Sequence, residues 1–260
     1  MTKRTSDQAA AHDTTDALID FGHELIPAAQ KQQRVNDVFR SVASSYDIMN
    51  DVMSLGIHRL WKDSLINLIS PEPGHHLIDL AGGTGDIAAR FLSRGGGNAV
   101  ICDVNPAMMH AGRDRPLMRP YQDQLQWVAG DASQLPFPDA SADVITISFG
   151  LRNVTDRNAA LAEAHRVLKP SGRFFCLEFS HVRNRSLSAL YALWSELLPG
   201  IGAIIAKDAA SYRYLVESIK RFPDQETLAA MMGAAGFARI RHRDLSGGIA
   251  AIHCGWKAAQ

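Results

Sequence analysis

A glycine-rich turn carries the residue types that most directly indicate chemistry in this chain. The stretch DLAGGTGDIA, Asp79 to Ala88, contains Gly83 and Gly85 in the G-x-G-x-x-G/A pattern of a nucleotide-binding turn between a strand and a helix. An acid stands at each end of the turn, Asp79 and Asp86. Carboxylates at a helix N-terminus repel a pyrophosphate and favour a ligand that carries positive charge.

Two nucleoside ligands are compatible with this turn. A nicotinamide dinucleotide needs an acid about 20 residues further on to hold its ribose hydroxyls, a spacing that Asp103 satisfies. S-adenosylmethionine has no phosphate; its sulfonium and ammonium groups favour the nearby acids, and its ribose can use Asp103 in the same way. The stretch Gly130-Asp131-Ala132 adds an acid that can accept a hydrogen bond from the adenine amino group.

Each of these acids taken alone is more often a loop or helix-cap carboxylate than a ligand. Three acids at consecutive strand ends, Asp79, Asp103 and Asp131, favour a shared ligand. The residues therefore favour S-adenosylmethionine, and a nicotinamide-dependent oxidoreductase of Rossmann type is the alternative. The glycine pattern alone serves many nucleotide-binding folds and does not decide between them.

The elements that position these residues are indicated by apolar runs that alternate with helical patterns, as in βαβ units. Five runs predict parallel strands: His76–Ala81, Ala99–Asp103, Leu125–Ala129, Val144–Phe149 and Arg173–Phe179. Apolar residues at helical spacing between Asp156 and Lys169 predict a connecting helix, which Lys169-Pro170-Ser171-Gly172 ends.

Two further strand-like runs near the end of the chain, Ala238–Leu245 and Ile249–Trp256, are joined by Ser246-Gly247-Gly248. They predict an antiparallel hairpin. An ordinary doubly wound sheet does not need such a hairpin.

We expect residues 1–34 to form a mobile N-terminal tail and residues 35–260 to form a single domain. Within that domain, residues 35–70 predict a helical preface over the carboxyl ends of the strands, where ligands of open α/β sheets bind. Residues 185–222 are expected to form a substrate-side lid.

The lid prediction depends on the apolar stretch Leu187–Ala206, in which Glu196 and the Pro199-Gly200 break argue against a membrane span. Its apolar residues at helical spacing are Leu190, Leu193, Trp194, Leu197 and Leu198. An ordinary helix that covers the sheet would show the same pattern.

Composition excludes several classes of protein. Lysine plus arginine equals aspartate plus glutamate at 27 each, so the chain has no net field to gather nucleic acid. The cysteines, Cys102, Cys176 and Cys254, lie far apart in apolar runs, which is typical of reduced structural thiols. His75 and His76 lack acids or cysteines at ligand spacing, so no metal site is expected. The polar start of the chain is unlike a secretory signal and indicates a cytoplasmic protein.

Several longer motifs carry a resemblance to a known family. The chain resembles the ubiquinone/menaquinone biosynthesis C-methyltransferases, the UbiE/MenG group of class I methyltransferases, from about Val35 to Trp256. The glycine turn and GDASQLPF are common to class I methyltransferases in general. The more particular motifs are FRSVASSYDIMNDVMSLGIHRLWK, ITISFGLRNV, RVLKPSGRFFCLEFS and DAASYRYLVESIKRFPDQ.

The resemblance implies a Rossmann-like α/β fold: a seven-stranded, mostly parallel sheet with a C-terminal antiparallel hairpin and helices on both faces. It implies S-adenosyl-L-methionine as the methyl donor and a prenylated quinol as the acceptor, either demethylmenaquinol or 2-polyprenyl-6-methoxy-1,4-benzoquinol. Beside the turn glycines Gly83 and Gly85, the cofactor contacts that it implies are Thr84, Asp103, Asp131, Ala132 and Ser148.

Methylation of a ring carbon needs a base or a positive group beside a neighbouring ring hydroxyl, because the carbon is a weak nucleophile until that hydroxyl loses its proton. Arg152 and Asn153, just beyond the fourth strand, are the first candidates. A structural role is the alternative, in which Arg152 pairs with a surface acid and Asn153 caps the helix that starts near Asp156. Further candidates for catalysis or for the ring pocket, each more often a packed residue than a catalyst, are Tyr46, His58, Tyr212 and Tyr214.

The expected partners follow from the acceptor. A prenylated quinol resides in the bilayer, so we expect transient contact with a membrane surface, at the inner membrane. A homodimer or a quinone-biosynthesis complex stays open. A non-catalytic accessory protein that binds quinols is a further alternative, which nothing in the sequence favours.

Overall fold

A central sheet organises the computed structural model. The structure describes residues 18–21, 24–27, 30–31, 33–35, 37–38, 51, 54, 56–183, 188, 191, 194, 196, 198, 200 and 209–259. In these residues the sheet has seven strands, and a separate pair of short strands, β1 (Leu18–Phe21) and β2 (Glu24–Pro27), precedes it.

The sheet strands follow the sequence prediction closely. In chain order they are β3 (His76–Leu80), β4 (Asn98–Asp103), β5 (Leu125–Ala129), β6 (Ala142–Ser148), β7 (Leu168–Phe179), β8 (Ala238–Leu245) and β9 (Ala250–Trp256). Their spatial order is β5-β4-β3-β6-β7-β9-β8. Neighbours from β5 to β7 are parallel, whereas β9 is antiparallel to both β7 and β8. The mostly parallel sheet with a C-terminal antiparallel hairpin is therefore confirmed.

Helices cover both faces of the sheet. They are α1 (His58–Ile69), α2 (Asp86–Ser93), α3 (Pro106–Arg113), α4 (Arg157–Val167), α5 (Ala209–Lys220) and α6 (Gln225–Ala234). Among the described residues, 3₁₀ helices span Pro116–Gln124, Leu151–Asn153 and Ser246–Gly248. Successive residues of β3 point to opposite faces, so Leu77 packs in one apolar cluster with α1, α2 and α5, and Ile78 packs in the other with α4 and α6.

The predicted helix between Asp156 and Lys169 ends two residues earlier than expected. It begins where Asp156 Oδ1 accepts a hydrogen bond from the backbone N–H of Ala159 at 2.9 Å. The chain then enters β7 directly at Leu168, with a register shift opposite Ala142 and Val144. Regular pairing resumes at Arg173, the residue at which the sequence places the strand.

One element was not expected. The strands β1 and β2 form an antiparallel pair inside residues 1–34, for which we expected a mobile tail. Ile26 in β2 is buried. The tail prediction came from the polar first 16 residues, and strands of four residues are too short to show a clear alternation.

Much of the predicted lid lies outside the described residues, including Leu190, Leu193 and Leu197. Of the same stripe, Trp194 is partly buried against the core and Leu198 is fully buried in it. No helix among the described residues is both long enough and apolar enough to cross a membrane.

Candidate active site

A cleft lies at the carboxyl ends of β3, β4, β5 and β6, where the order of strands along the sheet reverses. Its empty volume is about 920 Å³, a figure that includes the open mouth. The described lining residues are Val35, Lys62, Asp79, Ala81, Gly82, Gly83, Thr84, Asp86, Ile87, Asp103, Val104, Asn105, Met108, Gly130, Asp131, Ala132, Ser148, Phe149, Gly150, Asn153 and Val154.

The glycine turn brings the backbone itself to the cleft. Gly83 and Gly85 have φ angles of +53° and +78°, in the left-handed region that favours glycine. A Cβ on Gly85 would lie 2.7 Å from Ile101 Cδ1, so this glycine also allows α2 to pack closely on β4. Gly83 lines the cleft, whereas Gly85 is not among the described lining residues and supports the turn from behind.

Asp103 connects the end of β4 to the glycine turn. Its Oδ2 accepts a hydrogen bond from the N–H of Gly83 at 2.8 Å, and its Oδ1 accepts one from the N–H of Asn105 at 2.7 Å. The residue is 7% exposed, and this burial raises the pKa of its carboxyl. Each oxygen keeps a second lone pair, so the carboxylate can also accept ribose hydroxyls, as its spacing predicts.

Asp79 at the end of β3 is a buried acid with one unused oxygen. Thr146 Oγ1 donates to its Oδ1 at 2.6 Å, while its Oδ2 has no hydrogen-bond partner among the described residues. The residue is 1% exposed, and burial raises the pKa of its carboxyl to about 7. An unpartnered buried oxygen that lines a cleft is available to accept a hydrogen bond from a ligand.

Lys62 and Asp86 join the helical preface to the turn. Lys62 Nζ on α1 lies 2.8 Å from Asp86 Oδ2 at the start of α2, and Arg90 Nε lies 3.2 Å from Asp86 Oδ1. Burial alone would raise the pKa of Asp86, but Lys62 and Arg90 outweigh it and lower the pKa to about 2. The carboxylate is therefore ionised throughout the neutral range.

The charged groups give the cleft a negative character. Among its described lining residues four are aspartates, Asp79, Asp86, Asp103 and Asp131, and one is a lysine, Lys62. Because these groups are largely withdrawn from water, their fields are weakly screened. The arrangement repels a diphosphate and attracts a cation.

The other predicted cofactor contacts, Asp131, Ala132, Ser148 and Thr84, also line the cleft. Asp131 Oδ1 accepts hydrogen bonds from the N–H and the Oγ of Ser133, both at 2.8 Å, which fixes the loop after β5. Ser148 Oγ at the end of β6 is buried without a hydrogen-bond partner among the described residues. Thr84 Oγ1 accepts a hydrogen bond from Arg115 Nη1 at 2.7 Å, so this hydroxyl is already held by the protein.

The two acceptor-side candidates after β6 differ in their positions. Asn153 lines the cleft; its Oδ1 accepts a hydrogen bond from the Tyr214 hydroxyl at 3.1 Å. Arg152 is absent from the described lining and is 1% exposed. Its Nη1 donates to Glu178 Oε1, and its guanidinium lies 5.6 Å from the centre of the Phe179 ring. Arg152 thus pairs with a buried acid rather than with a surface one.

The remaining candidates are not gathered at the cleft in the described part of the chain. His58 is buried, and its Nε2 lies 2.8 Å from Asp51 Oδ1; burial lowers the pKa of its imidazole. Tyr212 of α5 is fully buried in an apolar cluster of the core. Tyr214 reaches the cleft only through Asn153. Tyr46 lies outside the described residues.

Comparison with known proteins places the chain in a family. The model of the ubiE/COQ5 methyltransferase family matches residues 28–257. The chain belongs to this family. The resemblance drawn from the motifs is thereby confirmed.

The sequences of two relatives align with this ubiE/COQ5 family member over most of their lengths. The ubiquinone/menaquinone biosynthesis C-methyltransferase UbiE of Acidiphilium cryptum is 52% identical over 246 residues, 94% of this chain and 99% of the relative. The mitochondrial 2-methoxy-6-polyprenyl-1,4-benzoquinol methylase of Xenopus laevis is 46% identical over 274 residues, 91% of this chain and 88% of that protein.

A solved structure supports the fold of the family member. An S-adenosylmethionine-dependent methyltransferase of Thermotoga maritima superposes with a TM-score of 0.62 at 19% identity, over 86% of this chain and 99% of that one. At this identity the likeness concerns the fold alone.

Two cleft residues of this ubiE/COQ5 family member were not among the predicted site residues. The sequence marks Asp79 as one of three acids at strand ends but does not single it out as a cofactor contact, although a carboxylate inside the apolar strand HLIDL is itself a signal of function. Lys62 belongs to the predicted helical preface and is the last residue of the motif that ends in GIHRLWK, and neither pattern gives it a role. Nothing in the local pattern indicates that α1 directs this side chain at the glycine turn.

Proposed function

We propose that this protein transfers the methyl group of S-adenosyl-L-methionine to a ring carbon of a prenylated quinol in menaquinone or ubiquinone biosynthesis. The acceptor is demethylmenaquinol, 2-polyprenyl-6-methoxy-1,4-benzoquinol or both. The names of the two relatives support the acceptor class. The observation that carries the cofactor assignment is the acid-lined glycine cleft.

The residues of the cleft fit this cofactor. In this proposal Asp103 binds the ribose hydroxyls and Asp131 with Ala132 binds the adenine. That these residues line one cleft with Gly83 supports the assignment. The unused oxygens of Asp79 and Ser148 supply acceptors for the amino-acid end. A nicotinamide dinucleotide would instead bring its diphosphate against four carboxylates.

The bound cofactor supplies a methyl group that its own positive sulfur already activates. The protein's share of the catalysis is then to hold donor and acceptor in line and to keep water away. Phe149 and Val154, which follow β6 in the chain, and Val35 give the cleft an apolar lining. The quinol ring is expected to bind on this side of the cleft.

Asn153 is the described residue best placed to assist the ring hydroxyl. Burial raises the pKa of Tyr214 to about 12, so this phenol stays protonated and donates to Asn153 Oδ1. The carbonyl oxygen is thereby occupied, and the amide N–H₂ group is directed to other acceptors, including Phe149 O at 3.5 Å. An amide hydrogen directed at the acceptor would stabilise a developing phenolate.

Arg152 is assigned a positioning role in this proposal. Its buried pair with Glu178 fixes the 3₁₀ helix Leu151–Asn153, because the backbone N–H of Arg152 also lies 3.4 Å from Glu178 Oε2.

Transient contact with a membrane surface, where the quinol resides, belongs to the same proposal. A homodimer or a quinone-biosynthesis complex is compatible with it.

Purified protein incubated with methyl-deuterated S-adenosylmethionine and each reduced quinol tests the function. Mass spectrometry should show one labelled methyl on the ring of at least one acceptor. Loss of the methylated quinone from cells that lack the protein would identify the native acceptor. A protein stabilised by NAD(H) but not by S-adenosylhomocysteine, or one that binds quinols without turnover, would overturn the proposal.

A further inference from the structure

Lys62 is the cation that the described residues present to the cleft. It is 4% exposed, and its ammonium carries three N–H donors. Among the described residues the structure records one hydrogen bond for it, to Asp86 Oδ2 at 2.8 Å. A buried ammonium normally satisfies more of its donors than this.

Asp86 does not depend on Lys62 alone. Its other oxygen, Oδ1, is paired with Arg90 Nε at 3.2 Å, and Arg90 Nη1 reaches Asp63 Oδ1 at 2.7 Å. The carboxylate would therefore keep a cationic partner if Lys62 shared its donors with a ligand. An ion pair that served only to join α1 to α2 would not need to line the cleft.

A complementary acceptor lies at the same end of the cleft. Asp79 lines the cleft beneath the glycine turn, where a Cβ on Gly82 would lie 2.9 Å from its Oδ2. That oxygen has no hydrogen-bond partner among the described residues. Lys62 is close enough for its charge to lower the pKa of Asp79 against the effect of burial. An acceptor oxygen and an ammonium, each with hydrogen-bonding capacity that the described residues do not use, thus line the same cleft.

The chemistry that matches such a pair is the zwitterion of an α-amino acid. We propose that Lys62 binds the α-carboxylate of the methionine part of the cofactor, while Asp79 accepts hydrogen bonds from its α-ammonium. This inference rests on the proposed function, since it assumes that the cleft binds S-adenosylmethionine. Lys62 then selects ligands that keep the carboxylate.

The test compares a ligand that carries the α-carboxylate with two ligands that lack it. Isothermal titration calorimetry would measure S-adenosylhomocysteine, its decarboxylated analogue, and 5′-methylthioadenosine, which lacks the whole amino-acid end, on the wild type and on Lys62→Met. A charge-assisted contact predicts that Lys62→Met lowers the affinity for S-adenosylhomocysteine by about 10- to 100-fold. The affinities for the two ligands without a carboxylate should change by less than about threefold. A merely structural lysine would weaken all three ligands alike.

Arg90→Met is the matched control, because it removes the other partner of Asp86 from outside the described cleft lining. It should leave the preference for the carboxylate unchanged. If Lys62→Met does not fold, Lys62→Gln keeps most of the side chain and is measured in its place. Each ratio compares two ligands on one variant, so a uniform loss of stability cancels.

The outcomes separate this inference from the proposed function. A wild type that binds the decarboxylated analogue as tightly as S-adenosylhomocysteine would overturn the role of Lys62 and leave the cofactor assignment standing. A wild type that binds none of the three ligands would overturn both. A selective loss for the carboxylate ligand in Lys62→Met, absent from Arg90→Met, supports the inference.

Discussion

Tyr214 and Asn153 lie 61 residues apart in the chain and are joined by a hydrogen bond of 3.1 Å from the phenol to the amide oxygen. Tyr214 belongs to α5, whereas Asn153 lies in the 3₁₀ helix that follows β6 and lines the cleft. The hydrogen bond therefore makes the position of Asn153 in the cleft depend on the position of α5. It also fixes which end of the amide can donate.

Tyr214→Phe should slow methyl transfer without weakening the binding of the cofactor. Loss of one neutral hydrogen bond, worth about 0.5–1.5 kcal/mol, predicts a fall in kcat of about 3- to 10-fold. Affinity for S-adenosylhomocysteine, measured by calorimetry, should stay near that of the wild type. Tyr121→Phe, a partly buried tyrosine outside the described cleft lining, is the control. Unchanged turnover in Tyr214→Phe would show that this hydrogen bond does not orient Asn153 for catalysis.

Asp103→Asn should weaken the binding of the cofactor more than it lowers kcat. The carboxylate accepts from two backbone N–H groups, of Gly83 and Asn105, and an amide nitrogen in either position would oppose a donor with a donor. Together with the lost ribose contact, this predicts about a 10- to 100-fold loss of affinity for S-adenosylhomocysteine. Calorimetry on Asp139→Asn, an exposed acid paired with Arg166, gives the baseline. Equal affinity in the two variants would contradict the assignment.

The contacts of Asp103 show why much of the cleft lining could be predicted from the sequence. In parallel strands the carboxyl ends meet at one edge of the sheet, so acids placed at the ends of predicted strands must converge. Asp79, Asp103 and Asp131 were placed there by local pattern alone. The hairpin of β8 and β9 was equally clear, because Ser246-Gly247-Gly248 separates two apolar runs.

The acceptor side was less predictable because long-range pairing decides it. Arg152 follows a strand end just as the acids do, yet Glu178, 26 residues away, binds its guanidinium inside the protein. Nothing near Arg152 in the sequence announces that partner. Lys62 likewise reaches the cleft from a helix before the sheet. The prediction that Leu193 and Leu197 form a lid for the prenyl tail concerns residues outside the described part of the chain and stays a prediction.

Arg152→Met should lower both the stability of the protein and its rate of methyl transfer. Removing one partner of a buried ion pair leaves Glu178 charged and uncompensated, at a cost of about 3–5 kcal/mol in the free energy of unfolding. Urea denaturation would measure this loss. The double variant Arg152→Met, Glu178→Gln should be more stable than Arg152→Met alone, because the buried charge is then absent.

Turnover in the double variant distinguishes the two roles of Arg152. A positioning role predicts that activity recovers in part along with stability. The amide oxygen that Glu178→Gln introduces can still accept from the N–H of Phe179, as the carboxylate of Glu178 does at 2.9 Å. A fully stable Arg152→Met variant with abolished turnover would instead place the guanidinium against the acceptor.

Asp79→Asn should stabilise the ligand-free protein, increasingly so as pH rises. Burial raises the pKa of Asp79 from 3.8 to about 7, so the folded state holds its proton more tightly than the unfolded chain does. The stability from this group is complete below about pH 4 and is lost as pH rises through 7, by on the order of 4 kcal/mol at most. Thermal unfolding of the wild type and Asp79→Asn from pH 4 to pH 8 should show the variant gaining relative stability.

The same substitution should remove part of the pH dependence of cofactor binding. An α-ammonium favours the ionised carboxylate, so the affinity of the wild type for S-adenosylhomocysteine should rise as pH increases through about 7. The charges that act on this titration are known: Lys62 lowers the pKa of Asp79, whereas Asp103 and Asp86 raise it. Asp79→Asn should bind weakly with a flatter profile between about pH 6 and pH 8, although it is the more stable protein. A variant that kept both the affinity and the pH profile of the wild type would show that the buried oxygen of Asp79 has no part in holding the cofactor.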